Sequence, residues 1–201
     1  MNHFNVKSKT AYNKIADDYD NSFDGKFTQK FKRLLAGNIH LEENSRVLDV
    51  ACGNGSLLAF LNKQQALNGF GIDISDRMIK NAAGNNPDME FQVADCEAIP
   101  FEDNTMDIIT VCAAYHHFPD VKTFAREVKR VLKINGMIYI AEVHLNAFLR
   151  LVCNPFLPFS KAGDVKFYSP NQIVDNFSQF GFKKTDAILS SGVQIISMQK
   201  K

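Results

Sequence analysis

Val47-Leu48-Asp49-Val50-Ala51-Cys52-Gly53-Asn54-Gly55-Ser56-Leu57-Leu58 decides the fold of this chain. It begins as a buried strand, carries one acid near its end and runs into a glycine turn. An apolar helix-like run follows, with Leu57, Leu58, Phe60 and Leu61. Strand, tight glycine turn and helix together hold a nucleotide-like ligand over a parallel sheet. Asp49 narrows the choice of ligand. A carboxylate at the end of the first strand lies where a dinucleotide would place its pyrophosphate, and two like charges repel. A ligand carrying an ammonium and a sulfonium would instead be attracted.

Outward from that stretch, strands are expected at 46–50, 69–74, 90–94, 107–112 and 136–142, alternating with helical segments. That alternation implies a parallel sheet with helices on both faces. The clearest helix covers about 120–133. Val121, Phe124, Ala125, Val128, Val131 and Leu132 share one stripe, and Lys122, Arg126, Lys129 and Arg130 face elsewhere as a solvated charge run. Residues 9–20 read as a short helix carrying Tyr12 and Tyr19. Ser169 caps a helix whose first position is Pro170. A final strand pair falls near 182–189 and 193–199, turned by Ser190-Ser191-Gly192.

The totals describe one ordinary domain. The 201 residues are 45% hydrophobic and 22% charged, enough for one sizeable core. A net charge of +1 gives no field for nucleic acid. The N-terminus lacks a signal-type apolar run, and no stretch approaches the roughly 18 apolar residues of a membrane span. Cys52, Cys96, Cys112 and Cys153 form no C-x-x-C pair. A reduced, cytoplasmic setting and no metal site are therefore expected. Cys52 and Cys96 are read as small turn-filling residues.

The stretch around Asp49 resembles the first motif of the class I S-adenosylmethionine-dependent methyltransferases. Asn68-Gly69-Phe70-Gly71-Ile72-Asp73-Ile74-Ser75 fits the second, with Asp73 20 residues after Gly53, near the spacing at which an acid meets ribose hydroxyls. Phe91–Cys96, Met106–Cys112 and Val131–Ile140 resemble the later motifs in order. The likeness covers residues 10 to 143 well and is nearest the type 11 subgroup that includes quinone-biosynthesis enzymes. It implies a Rossmann-like three-layer α/β sandwich: a mostly parallel seven-stranded sheet with an antiparallel last strand. It also implies a single domain over 1–201, with an N-terminal helical cap at 1–40 and a variable acceptor-side segment at 145–168. One departure is Ala51, where the family often has glycine; alanine is tolerable there at negative φ and strained at positive φ.

By that resemblance the cofactor is S-adenosylmethionine. Asp49, Ala51, Gly53 and Gly55 surround its methionine part, and Asp73 accepts from the ribose hydroxyls. Ile74 and Met78 flank the adenine. Asp95 accepts from the adenine amino group with Cys96 alongside, although Asp103 and Asp107 are also candidates for that role. Ala113 lines the methyl-donor end. Tyr12 and Tyr19 either close over the cofactor as a lid or make an ordinary aromatic contact. Where the acceptor needs a base, candidates are His116, His117, Glu142 and His144, at carboxyl ends of strands; His117 and His144 are favoured.

The implied activity is methyl transfer to a small-molecule or lipid-like acceptor by in-line displacement. Other readings are a non-catalytic S-adenosylmethionine binder and a nicotinamide oxidoreductase. The latter lacks its third glycine, since Leu58 stands there. Segment 145–168, with Arg150, Lys161 and Lys166, is expected to wall the acceptor site, suit an acidic apolar acceptor or touch a membrane loosely. The plainer alternative is a helix that buries its own phenylalanines. The acceptor, the atom methylated and the oligomeric state are not encoded legibly.

Overall fold

The computed structural model describes residues 2–201. Two helices, α1 (His3–Ile15) and α2 (Phe23–Ala36), precede the sheet. Then β1 (Ser45–Val50), α3 (Ser56–Gln64), β2 (Leu67–Asp73), α4 (Asp76–Asn85), β3 (Glu90–Val93) and β4 (Met106–Cys112) alternate. They are followed by α5 (Val121–Val131), β5 (Leu132–Val143), α6 (Ala147–Cys153), α7 (Pro170–Ser178), β6 (Phe182–Ser190) and β7 (Val193–Lys200).

The strand order is β3-β2-β1-β4-β5-β7-β6. β1 pairs in parallel with both β2 and β4, and β7 runs antiparallel to β5 and β6. This is the expected sheet. The chain leaves β1 toward β2 and β3, then returns to the other side of β1 as β4. Such a reversal opens a crevice at the carboxyl ends of the strands, where ligands bind in open α/β sheets.

Apolar side chains fill both faces. On one, Phe124 and Val128 of α5 and Ile173 and Phe177 of α7 pack on Leu48, Ile109 and Ile140. On the other, Phe31 and Leu35 of α2 and Leu57, Leu58 and Leu61 of α3 pack on Val47 and Ile195. The central strands are thus buried on both sides, which is why they read as continuous apolar runs.

The N-terminal helix differs from the expectation of 9–20. It begins at His3 because the Asn2 side chain accepts from the Asn5 amide at 3.0 Å. It ends at Ile15; a 3₁₀ turn over Ala16–Asn21 follows, with Asp18 out of helical conformation. The α7 start is as expected, with a full capping box between Ser169 and Gln172. No helix among the described residues is long and apolar enough to cross a membrane.

Candidate active site

A cavity of about 100 Å³ opens at the carboxyl ends of β1, β2 and β4. The turn after β1 makes its floor. Gly53 and Gly55 take φ of +53° and +76°. A Cβ at Gly55 would lie 2.7 Å from Asn86 Nδ2, so that glycine serves close packing against α4 rather than the cavity. Ala51 has φ +58° and Ala113, at the end of β4, has φ +53°. Ala51 therefore sits in the strained case, and each alanine costs roughly 1–2 kcal/mol there. Both line the cavity, a place where strain commonly accumulates.

Asp73 ends β2 and faces the same space. Its Oδ2 accepts from the Gly53 amide at 2.9 Å and its Oδ1 from the Ser75 amide at 2.8 Å. It fixes the glycine turn as well as offering a carboxylate. Burial raises its pKa and those backbone donors oppose the rise. Ile74 and Met78 add apolar wall, and Ala94, Asp95 and Cys96 close the far side.

The three candidate acids near residue 100 are now distinguished. Asp103 pairs with Arg130 at 3.0 Å and Asp107 with Lys133 at 2.6 Å. Asp95 lines the cavity and is held by Asn5 Nδ2 at 2.5 Å.

Asp49 lies beneath this wall and is not part of its lining. It is 2% exposed and accepts from Thr110 Oγ1 at 2.7 Å. Burial pushes its carboxyl up to about 7. Any influence on a ligand passes through the turn rather than by contact.

Helix α1 roofs the cavity with Asn5, Ser8 and Tyr12, and Tyr19 follows from the 3₁₀ turn. Tyr12 and Tyr19 meet edge to face with centroids 6.4 Å apart. The roof is tied to α4: Ser75 Oγ donates to Asn13 Oδ1 at 2.5 Å, and Lys9 pairs with Asp76 at 2.9 Å. Both tyrosines therefore face the ligand space, as a lid would, and also pack on each other.

His117 enters from the turn after β4. Its Nε2 lies 3.0 Å from Tyr12 Oη, and its Nδ1 lies 3.2 Å from Asp164 Oδ1, off the direction of a good hydrogen bond. Burial, and then the neighbouring His116, depress its pKa to about 3. It is an uncharged imidazole at neutral pH. His116 points away from the cavity, with Nδ1 2.9 Å from Glu142 Oε2 and Nε2 3.5 Å from Asp164 Oδ1. Burial works against its charge, but the two carboxylates prevail and raise its pKa.

His116, His117 and Asp164 bring three ligand-type atoms within 4.8 Å of one another. A divalent ion could be held there. His116 lies between the Glu142 and Asp164 carboxylates, which favour its charged form.

His144 does not join the site. It lies beyond β5, its amide donating to Gly192 O at 2.8 Å, and it lines no part of the cavity. Cys52 and Cys96 have their thiols pushed up by burial and stay protonated, which argues against nucleophiles. Sequence reasoning missed Asn5, Ser8 and Asp164. None lies in a motif or an apolar pattern; each reaches the site by a long-range contact.

The donor set suits a nucleoside carrying an amino acid. A half-buried acid ends β2, apolar surface follows it, a second acid stands at the far side, and a glycine turn lies opposite. The methyltransferase-domain family model matches residues 48–140. The demethylmenaquinone methyltransferase of Thermotoga maritima is 30% identical, the alignment covering 86% of each chain. A ubiquinone/menaquinone biosynthesis C-methyltransferase of Geotalea daltonii is 32% identical over 79% of this chain and 75% of its own. Among solved structures, the Haloferax volcanii methyltransferase in complex with the Trm112 activator superposes with a TM-score of 0.82. It covers 96% of both chains at 18% identity.

Proposed function

Because the chain belongs to the class I S-adenosylmethionine-dependent methyltransferases, in the quinone-biosynthesis-like family, we propose that its acceptor is a small, lipid-like molecule bearing a hydroxylated ring. The names of the relatives support an acceptor of that class. The observation that carries the reading is His117: an uncharged imidazole facing the cavity that also holds Asp73 and Gly53.

S-adenosylmethionine, when bound, supplies a methyl group on a sulfonium that is already a good leaving group. The chain's work is to bind, align and dehydrate. Asp73 would accept from the ribose hydroxyls, Ile74 and Met78 would flank the adenine, and Asp95 would accept from its amino group. Ala51, Gly53 and Ala113 leave room at the methyl end. Tyr12 and Tyr19 exclude water from above. In-line transfer then follows mainly from proximity and alignment.

With Tyr12 Oη turned away from Nε2, His117 accepts a hydrogen bond from the acceptor hydroxyl and draws electron density onto the ring. Its neighbour His116 lowers its proton affinity beyond what burial does. It orients and polarises the hydroxyl, while Asp164 Oδ1 faces the other ring nitrogen at 3.2 Å.

The test is transfer of labelled methyl to a panel of lipophilic phenols and hydroquinones in detergent. His117→Ala is expected to lower turnover roughly a hundredfold or more, with affinity for S-adenosylhomocysteine kept within about threefold. Unchanged turnover in the variant would remove His117 from the reaction. Cofactor hydrolysis without transfer to any acceptor would favour a non-catalytic binder.

A further inference from the structure

We propose that α6 and the Leu157–Phe159 turn after it form a docking face for an anionic phospholipid surface. This rests on the lipid-like acceptor above, since docking there would bring the cavity roof to the phase that holds such an acceptor. No residue of α6 or of that turn is buried. Phe148, Leu151, Phe156 and Phe159 are 71%, 74%, 69% and 81% exposed, and Leu149 and Val152 stand out beside them. On α6, Phe148, Leu149, Leu151 and Val152 fall on one broad arc at about 100° per residue. Among the described residues, nothing covers that arc. The expectation that this segment buries its own phenylalanines is not met: they point outward, and none of them lines the cavity.

The charge around the patch selects the occupant. From Leu145 to Gly163 there is no acidic residue, and the charged ones are Arg150 and Lys161. Lys7 joins them from α1, its Nζ donating to Pro158 O at 3.0 Å. Asp164, the next acid, is turned inward onto the histidines. Apolar side chains flanked by cations are the pattern of elements that lie in a membrane interface, with the rings in the acyl boundary and the cations at anionic headgroups. The segment is interrupted by Pro155 and Pro158. Its rings protrude separately, and a fluid apolar phase accommodates them.

The patch is also joined to the lid. Ser8 Oγ of α1 donates to Ala162 O at 2.9 Å, and Ser8 lines the cavity. The amides of Val165 and Lys166 donate to His116 O at 2.8 and 3.2 Å. A surface that held the patch would therefore hold the roof and the acceptor side of the site against the lipid.

Flotation with phosphatidylcholine vesicles, with and without phosphatidylglycerol, tests this. The protein is expected to float with vesicles containing phosphatidylglycerol and to bind pure phosphatidylcholine about tenfold more weakly or worse. The variant Leu151→Ser/Phe156→Ser/Phe159→Ser should lose at least about tenfold in vesicle affinity. Its melting temperature and its affinity for S-adenosylhomocysteine should stay as in wild type, because these side chains are exposed and away from the cavity. A wild-type protein that stays unbound with both vesicle types overturns the proposal, as does a variant that floats equally well. Sedimentation velocity adds a third outcome: a wild-type dimer that the variant abolishes, without vesicle binding, would show that a second copy covers the face. Cofactor affinity, read on the same samples, separates failure of this proposal from failure of the methyltransferase reading.

Discussion

Glu142→Ala should destabilise the protein by about 3–5 kcal/mol, the usual cost of removing one partner from a buried ion pair. Glu142, the last residue but one of β5, has no side-chain exposure. Its Oε2 accepts from the His116 amide at 3.1 Å and meets His116 Nδ1 at 2.9 Å, and its Oε1 accepts from the Val143 amide at 2.6 Å. Burial pushes its pKa up, but the His116 charge and these donors prevail and hold it below the usual value. Alanine leaves the His116 amide unpaired and leaves the imidazole facing Asp164 alone. Urea unfolding of wild type and variant, read by midpoint at constant slope, measures the loss. A change below about 1 kcal/mol would mean that the pair is only marginally favourable over a neutral histidine.

Asp49→Asn should change how stability depends on pH by about 4 kcal/mol. The Asp49 carboxyl is pushed up to about 7 by burial, with the Thr110 hydroxyl and Lys32 opposing. The unfolded chain releases this proton near pH 3.8, whereas the folded chain keeps it to about 7. Its contribution is therefore most favourable below the unfolded value and is lost as pH rises toward 7. About three pKa units at 1.36 kcal/mol each give that figure. Asparagine has the same shape, can still accept from Thr110 and does not titrate. The variant should match wild type near pH 4 and exceed it increasingly up to pH 7. Denaturation curves across that range check it. A difference that stays flat with pH would show that Asp49 ionises freely in the folded protein.

Asp49 also shows how far sequence carries. Its position at the end of β1 was readable, because a continuous apolar run before a glycine turn has few other meanings. Its chemistry was not. Register sets it directly beside Thr110 of β4, and only that pairing explains why it serves the turn from beneath instead of meeting a ligand. The position of Asp73 was readable, since spacing from the turn fixes which strand it ends; its hold on the Gly53 amide was not. Asp95 was left among three acids. The choice was made by Arg130 and Lys133, whose pairing with Asp103 and Asp107 depends on α5 and β5 folding back across the sheet.

His117 was identified by its place after β4, yet its partners were out of reach. Tyr12 arrives from a roof helix, and Asp164 lies in a stretch with no period of either kind. His144 had an equally good position in sequence, but β5 runs on to Val143 and carries it past the cavity mouth. Positions at strand ends are legible because they follow from alternation. Contacts between a loop and a distant helix are set by packing alone.

The most direct test of the whole account is calorimetric titration of the protein with S-adenosylmethionine, S-adenosylhomocysteine and NAD, repeated on Asp73→Ala. The account predicts one site for the two sulfur compounds and none for NAD. Loss of the charge-assisted ribose contact should cost the variant, shown by melting to be folded, about 1.5–3 kcal/mol, or roughly ten- to a hundredfold in affinity. Tight binding of NAD with no response to either sulfur compound, or an unchanged dissociation constant in folded Asp73→Ala, would contradict it.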